Sequence, residues 1–423
     1  MQRKKLLMAV WSLLALGLAL SACYNPMSPV EINALSASPI SDRSIPIAAL
    51  DYSVGDLTDP DVVAKLARAD LLVLGTWQFW ETDVDLSHIR AANPDIKILA
   101  YFRTKCIRSI WAPEDDSQNQ YTQQLYRAAI PYLVSTTEGD TASDWYGTYL
   151  YDFTNPQARI DMLEIFAHFQ ETSTNQFDGV FWDYFSPTLW IPYNLENVYG
   201  RPDMDGDGIA HHDDPDEIER FLRGQEAWID EMRARLGEDF IQIANGVRAL
   251  QDSTFAAKVD GMFYEDFPAQ GFNGMDEFRM ALDPAQFNNL WAAHNWPRTR
   301  NGGPWLILSH YQSAGVFFGP PPDYLPTVID ADDLTRAVAL LTDASAITYE
   351  GDGGVRDAGV PEVEYNLGPP LGGVQNNYPY YRRDFERGYI TLTMRTGAYP
   401  FPFDFEVWQD GVMIHRSPYP AAK

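Results

Sequence analysis

Two segments of the chain place a carboxylate directly after a short apolar run. Phe177-Asp178-Gly179-Val180-Phe181-Trp182-Asp183-Tyr184 passes from a turn through a buried strand to an acid. Val259-Asp260-Gly261-Met262-Phe263-Tyr264-Glu265-Asp266 repeats the layout, with Glu265 at the equivalent place. A carboxylate so placed must face a cleft or find a partner, because burying an unpaired charge is costly. Two such groups on either side of one bond can do acid–base work: one protonates the leaving oxygen, the other attacks carbon or activates water. Asp183 is the candidate nucleophile or base. Glu265 is the candidate acid, with aromatic surroundings expected to raise its pKa. The competing reading ties either acid to Arg103 or Arg248 in a structural ion pair. Asp178 and Asp260, each ahead of a glycine, read as turn residues at the opposite ends of their strands.

A second constellation is Asp203-Met204-Asp205-Gly206-Asp207-Gly208-Ile209. Oxygen ligands at positions one, three and five, followed by glycine, resemble a calcium-binding loop of the EF-hand, dockerin or thrombospondin-repeat type. Asp203, Asp205 and Asp207, the Ile209 carbonyl and Asp214 are the expected ligands, with Asp213 as the alternative to Asp214. The ion would be a structural Ca²⁺; the competing reading is a solvated acidic turn. Residues 191–202 do not read as a helix, so a complete EF-hand is not expected. His211 and His212 lack the third histidine or thiolate that zinc would need.

The elements that must position these residues follow a rhythm. Eight apolar runs recur: Ile45–Tyr52, Leu71–Trp77, Ile96–Phe102, Gly179–Tyr184, Phe240–Asn245, Gly261–Phe267, Trp305–His310 and Ala346–Glu350. Helical stretches lie between them, among them Pro60–Arg68, Asn155–Glu171, Asp216–Leu236 and Ala331–Thr342. Such alternation predicts a parallel sheet, and eight strands predict an α/β fold closed as a (β/α)₈ TIM barrel. No glycine-rich phosphate fingerprint opens a helix, which argues against a dinucleotide fold. In a barrel the site forms at the C-terminal strand ends. The residues there are Asp51, Trp77, Arg103, Asp183, Tyr184, Asn245, Glu265, Asp266, His310 and Glu350, the partners of Asp183 and Glu265 being candidates for substrate binding. Trp77, Trp80 and Trp190 are candidate stacking surfaces; Trp182 should point away from the rim by strand alternation. Residues 351–423 change character: a Gly/Pro-rich stretch precedes candidate strands Tyr389–Thr396 and Glu406–Arg416, the latter turning at Asp410-Gly411, which predict a small β appendage or a lid.

The chain has 423 residues, 45% hydrophobic and 21% charged, enough for one large domain. A net charge of −28 argues against nucleic acid as a partner. Aromatic content of 13% suits a core and also clefts that lay rings against sugar faces. Arg3, Lys4 and Lys5 precede the apolar stretch Leu6–Leu20, and Leu20-Ser21-Ala22-Cys23 resembles a bacterial lipobox. The expected layout is a lipoprotein signal peptide at 1–22, a tether at 23–44 lipidated on Cys23, the barrel at 45–350 with the calcium loop inserted at 203–214, and the appendage at 351–423. This predicts a chain held to a membrane by lipid and facing outward. Tyr24 after the cysteine leans toward the outer membrane or cell surface. With Cys23 lipidated, Cys106 has no partner for an internal disulfide; it reads as a buried thiol.

The segments Tyr101-Phe102-Arg103, Tyr151-Asp152-Phe153-Thr154-Asn155-Pro156, Phe177–Asp183 and Phe263-Tyr264-Glu265 resemble the barrel proteins of glycosyl hydrolase-like family 15. More distantly they are similar to glycoside hydrolase family 114, the endo-α-1,4-polygalactosaminidases. The likeness spans roughly residues 45–350, and Asp-Gly-Val-Phe-x-Asp is its most specific part. It implies a glycosidase-like barrel in which Asp183 and Glu265 correspond to the catalytic pair. The expected function is hydrolysis of an extracellular or envelope polysaccharide without an organic cofactor. The alternatives are a surface lipoprotein that binds carbohydrate on the same barrel without turnover, and a structural or adhesion lipoprotein whose calcium loop and aromatics serve a protein partner.

Overall fold

The computed structural model describes residues 44–51, 57–75, 85–109, 120–143, 147–173, 176–189, 200–267, 284–299, 301, 305–310, 328–347, 350–351, 365–394 and 403–417. At positions 51, 120, 265–266, 284–288, 309–310, 328–332, 346–347 and 350–351 it describes backbone alone. The segments expected to be signal peptide and tether, with Cys23, therefore lie outside the described residues save Ser44, as do Trp77, Trp80 and Trp190.

The barrel strands are β1 (Ala48–Asp51), β2 (Leu71–Gly75), β3 (Lys97–Arg103), β4 (Gly179–Asp183), β5 (Ile241–Asn245), β6 (Gly261–Phe267), β7 (Leu306–His310) and β8 (Ser345–Ile347). Every neighbouring pair from β1 to β8 is parallel. Just past β8, Glu350–Gly351 pairs in parallel with β1, which brings the sheet back to its first strand. The fold is the expected TIM barrel. Its eighth strand is split, β8 serving β7 and Glu350–Gly351 serving β1.

Helices α1 (Pro60–Leu66), α2 (Ser87–Ala92), α3 (Gln120–Ala129), α4 (Pro156–Thr172), α5 (Pro215–Leu236), α6 (Ser253–Lys258), α7 (Pro284–His294) and α8 (Val328–Thr342) return the chain between strands. Three start on an Asx-Pro pair. Asp59, Asn155 and Asp214 each accept a hydrogen bond from a first-turn backbone N–H, and the proline behind them fills the N1 position, where no N–H is needed.

Side chains alternate between two cores, as strand geometry requires. Leu50, Val73, Leu99, Tyr101, Phe181, Ile243, Phe263 and Ile307 belong to the cluster that fills the barrel. Phe102, Trp182, Ala244, Tyr264 and Leu308 belong to the layer between strands and helices. Trp182 is buried there, donating its indole N–H to Gln242 at 2.9 Å, so it does turn away from the rim. At the opposite ends of the strands, Asp178 accepts the Ile98 N–H and pairs with Arg90, while Asp260 accepts from Gln242 and Asn301 and pairs with Arg233. Both are structural, as their turn positions suggest.

After the barrel comes an antiparallel sheet of five strands: β9 (Gln375–Asn377), β10 (Tyr380–Phe385), β11 (Gly388–Met394), β12 (Phe403–Gln409) and β13 (Val412–Ser417). The appendage is thus a larger sheet than the two expected strands. Its inner face, with Tyr381, Phe385, Ile390, Leu392 and Phe405, is buried. Tyr381 stacks on Trp291 of α7 at 5.4 Å, and Arg383 reaches Asp343 at the end of α8.

Candidate active site

The centre of the site is the join of β3, β4 and β5. In the parallel register Arg103 lies opposite Asp183, and Tyr101 opposite Phe181. Because Phe181 and Ile243 face the barrel interior, Asp183 and Asn245, two residues further along their strands, share that parity at the rim. The side chains do meet: Asn245 Nδ2 donates to Asp183 Oδ1 at 2.9 Å. From below, the Tyr101 hydroxyl donates to Asp183 Oδ2. Tyr101 is 3% exposed and its ring stacks on Phe181 at 5.8 Å. Burial pushes its phenol well above the ordinary tyrosine value, and the charge of Asp183 pushes the same way. The floor beneath the carboxylate is therefore apolar and aromatic, and Asp183 itself is half-buried.

The backbone at this corner is held as tightly as the side chain. The carbonyl of Asp183 accepts from both the N–H and the hydroxyl of buried Thr104, at 3.3 and 2.5 Å. Tyr184 follows with φ +80, a conformation uncommon for a side chain of that size. The turn lays its ring under the Lys105 ammonium, 3.1 Å from the ring centroid, and sends its hydroxyl to the Thr188 carbonyl at 3.3 Å. Phe185 N–H then donates to the Asn245 carbonyl at 2.5 Å, and Gly246, at φ +124, lets the two backbones touch. A non-glycine residue with positive φ beside a half-buried carboxylate is the kind of strain that collects at functional sites.

Of the expected rim residues, Asp183, Tyr184, Asn245 and Arg103 come together at this corner. Asn245 serves the Asp183 carboxylate. Among the described residues Arg248 pairs with Glu226 at 2.5 Å and Asp252 at 3.1 Å, and not with Asp183. Asp51, Glu265, Asp266, His310 and Glu350 lie on barrel strands, and their side chains fall outside the described residues. The backbone of β6 changes register between Tyr264 and Phe267. Phe263 faces the barrel interior and Phe267 the outer layer, although both have the same parity, so an irregularity is accommodated at Glu265-Asp266. Bulges of this sort re-aim side chains beside active sites. Tyr101, Thr104 and Lys105 were missed in the sequence. The parity that links Tyr101 to Asp183 appears only once β3 is set beside β4.

The acidic loop is part of the β4–β5 connection. Pro202–Asp203 pairs with Ser135–Thr136 of the β3–β4 connection. Asp203 is 5% exposed, and its two oxygens accept the N–H groups of Gly206 and Gly208 at 2.7 and 2.8 Å. Asp205 and Asp207 accept from Asp207 N and Ile209 N in the same way. Asp214 caps α5. Two overlapping groups bring carboxylate oxygens within 4.8 Å of one another: Asp203, Asp205 and Glu217, and Asp205, Asp207 and Asp214. A Ca²⁺ with ligands at about 2.3–2.6 Å spans oxygens up to roughly 5 Å apart, so this donor set fits the ion. Glu217, 1% exposed on α5, is the unexpected member. It accepts the Met204 N–H at 2.9 Å and lies 2.8 Å from Nδ1 of buried His211, whose Nε2 accepts from Leu189 N–H. With both ring nitrogens so engaged, His211 braces the loop.

No family model matches the chain, and no curated protein does. Among solved structures the chain is similar to Aspergillus fumigatus Ega3 in complex with galactosamine, at 13% identity and a TM-score of 0.35, over 70% of this chain and 87% of that one. It is similar to a variant of the GH36 α-galactosidase AgaA from Geobacillus stearothermophilus, at 9% identity and a TM-score of 0.43, over 90% of this chain and 54% of that one. It is also similar to the maltogenic α-amylase AmyB of Thermotoga neapolitana, at 11% identity and a TM-score of 0.38, over 87% and 86%. At these scores the likeness transfers neither substrate nor site residues.

Proposed function

We propose that the chain is a glycoside hydrolase that cleaves an extracellular or cell-envelope polysaccharide, with Asp183 and Glu265 as its catalytic carboxylates. The observation that supports this best is the setting of Asp183. It stands at the C-terminal end of β4, where barrel enzymes build their sites, and is held by Tyr101 and Asn245 above an aromatic floor. In this reading Asp183 acts on the anomeric carbon directly or through water, and Glu265 protonates the leaving oxygen. Glu265 would share that rim from β6, the second strand along from β4 in the sheet. The reaction needs water and two carboxyl groups, and no organic cofactor. Arg103 and Tyr184 would contact sugar hydroxyls and ring faces at this corner, with Asp51, Trp77, Asp266, His310 and Glu350 as further contacts from the other strands.

The proposal includes a structural Ca²⁺ in the loop after β4, held by Asp203, Asp205, Asp207, the Ile209 carbonyl and Asp214, with Glu217 added. It also includes lipidation at Cys23, which would hold the enzyme at the envelope; Cys23→Ser should move the protein from the membrane fraction to the medium or soluble fraction.

The test is reducing-end release from amino-sugar and neutral polysaccharides by the full chain, beside Asp183→Asn and Glu265→Gln. Loss of turnover by at least about 10³-fold in each variant is expected for paired carboxylates that act together. Carbohydrate binding without turnover by the wild-type chain would favour the non-catalytic binder instead. The anomer first released, followed by NMR, separates retention from inversion.

A further inference from the structure

We propose that Tyr101 and Asn245 are positioning residues that aim the Asp183 carboxylate from the two strands beside it. This rests on Asp183 being a catalytic carboxylate, as argued above. In the sheet β4 lies between β3 and β5. Tyr101 of β3 donates to Oδ2 and Asn245 of β5 to Oδ1, so each oxygen is held from a different side. A carboxylate offers about four lone-pair directions, and two donors leave the other two for substrate or water. Two donors on opposite oxygens also fix the plane of the group, which one donor would leave free to rotate about its last torsion.

Three features separate this from ordinary packing. First, among the described residues both hydrogen-bond partners of the Asp183 carboxylate are uncharged. Neutral donors orient a carboxylate without cancelling its charge, which suits a nucleophile or base and is what an aspartate in a structural salt bridge lacks. Second, Tyr101 at 3% exposure and Asn245 at 7% are too buried to offer a sugar much surface, so they act through Asp183. Third, the framework behind them is fixed. The Tyr101 ring is stacked on Phe181, the Asn245 carbonyl accepts the Phe185 N–H, and Thr104 clamps the Asp183 carbonyl. The carboxylate is thus restrained at both its side chain and its backbone.

Tyr101→Phe keeps the ring against Phe181 and removes only the hydroxyl; Asn245→Ala removes the other donor and serves if the first variant does not fold. Both are compared with wild type and Asp183→Asn on the polysaccharide that the wild-type chain cleaves fastest. Misaiming a reacting group costs up to roughly 10²-fold. The expected result is therefore kcat lowered by about 10–100-fold in each donor variant with KM within about threefold of wild type. Wild-type kcat in both donor variants, with Asp183→Asn inactive, overturns this inference and leaves the glycosidase reading standing. A raised KM at unchanged kcat also overturns it, since the two residues would then be holding sugar. Full turnover by Asp183→Asn, or no turnover of any polysaccharide by the wild-type chain, overturns the glycosidase reading itself and this inference with it.

Discussion

Asp203 and Glu217 stand on different elements, yet their carboxylate oxygens lie within 4.8 Å of each other and of Asp205. Both are almost fully buried, at 5% and 1% exposure. Hydrogen bonds to backbone N–H groups orient them but leave their mutual repulsion in place, and a divalent cation would reverse its sign. Ligand that binds only the folded state at 100 times its Kd stabilises by about 2.7 kcal/mol. For a domain of this size that corresponds to a rise of about 3 °C in melting temperature. Millimolar calcium added to chelator-treated protein should produce this rise. Asp205→Ala, which removes the residue shared by both carboxylate groups, should abolish it. An unchanged wild-type melting temperature would leave the loop as a solvated acidic turn.

The appendage is tied to the barrel by Arg383. Its side chain is 6% exposed, and it donates to Asp343 Oδ1 and Oδ2 at 2.6 and 2.8 Å and to the Leu340 carbonyl at 2.8 Å. Asp343 is about half exposed and can return to water when the arginine is lost, so the cost falls mainly on the buried carbonyl and the lost packing. Arg383→Met should lower stability by about 1–3 kcal/mol, read as a reduced midpoint in urea at constant m-value. Equal midpoints would mean that this contact does not hold the sheet in place.

Tyr101, Tyr121 and Tyr151 are each pushed well above the ordinary tyrosine value, burial being the first cause in all three. A phenol that keeps its proton in the folded state and loses it in the unfolded state near pH 10 stabilises the fold fully below that pH. The contribution then declines as pH rises. Stability should therefore fall steadily from about pH 10 upward. In a tyrosinate absorbance titration, these three rings should ionise only together with the loss of near-ultraviolet ellipticity. Smooth ionisation of every tyrosine with the circular dichroism unchanged would contradict the burial described here.

The barrel was legible because its strands are continuous apolar runs separated by helical stretches, and Asp183 was legible as an acid closing such a run. Tyr101 was not. In Tyr101-Phe102-Arg103 either aromatic could have faced inward, and only the register with β4 shows that Phe102 packs outward on Phe166 and Trp182 while Tyr101 turns under the acid. Glu217 was hidden by its position, since an acid in the first turn of α5 reads as a dipole partner. Its contacts with His211 and Met204 depend on the path of the loop. Strand β10 was obscured for another reason: Arg383 lies on the inner face of Tyr380–Phe385, a charge where alternation calls for an apolar residue, and Asp343 that compensates it lies in a distant segment. The irregularity in β6 at Glu265-Asp266 was equally out of reach, because strand alternation from Phe263 does not anticipate it.

Gly246 gives the sharpest test of how the corner is built. It follows Asn245 directly and has φ +124, a region that residues with a Cβ avoid. A Cβ at this position would stand 2.4 Å from the Phe185 carbonyl oxygen and 2.7 Å from its carbon, both backbone atoms that cannot swing aside. Gly246→Ala must therefore push β5 away from the turn after Asp183, breaking the Phe185 N–H to Asn245 carbonyl bond and drawing Asn245 off the carboxylate. Strain and lost contacts of this kind cost about 2–4 kcal/mol. The variant should unfold at lower denaturant, and in whatever fraction remains folded kcat should drop by about tenfold or more while KM stays near wild type. Gly139, also at positive φ but with nothing within 4 Å of where a Cβ would stand, is the control for backbone strain alone. Gly139→Ala should cost about 1 kcal/mol and leave turnover as it was. Equal effects from the two substitutions would show that the loss at Gly246 is strain alone, with no contribution from the contact between β5 and the catalytic turn.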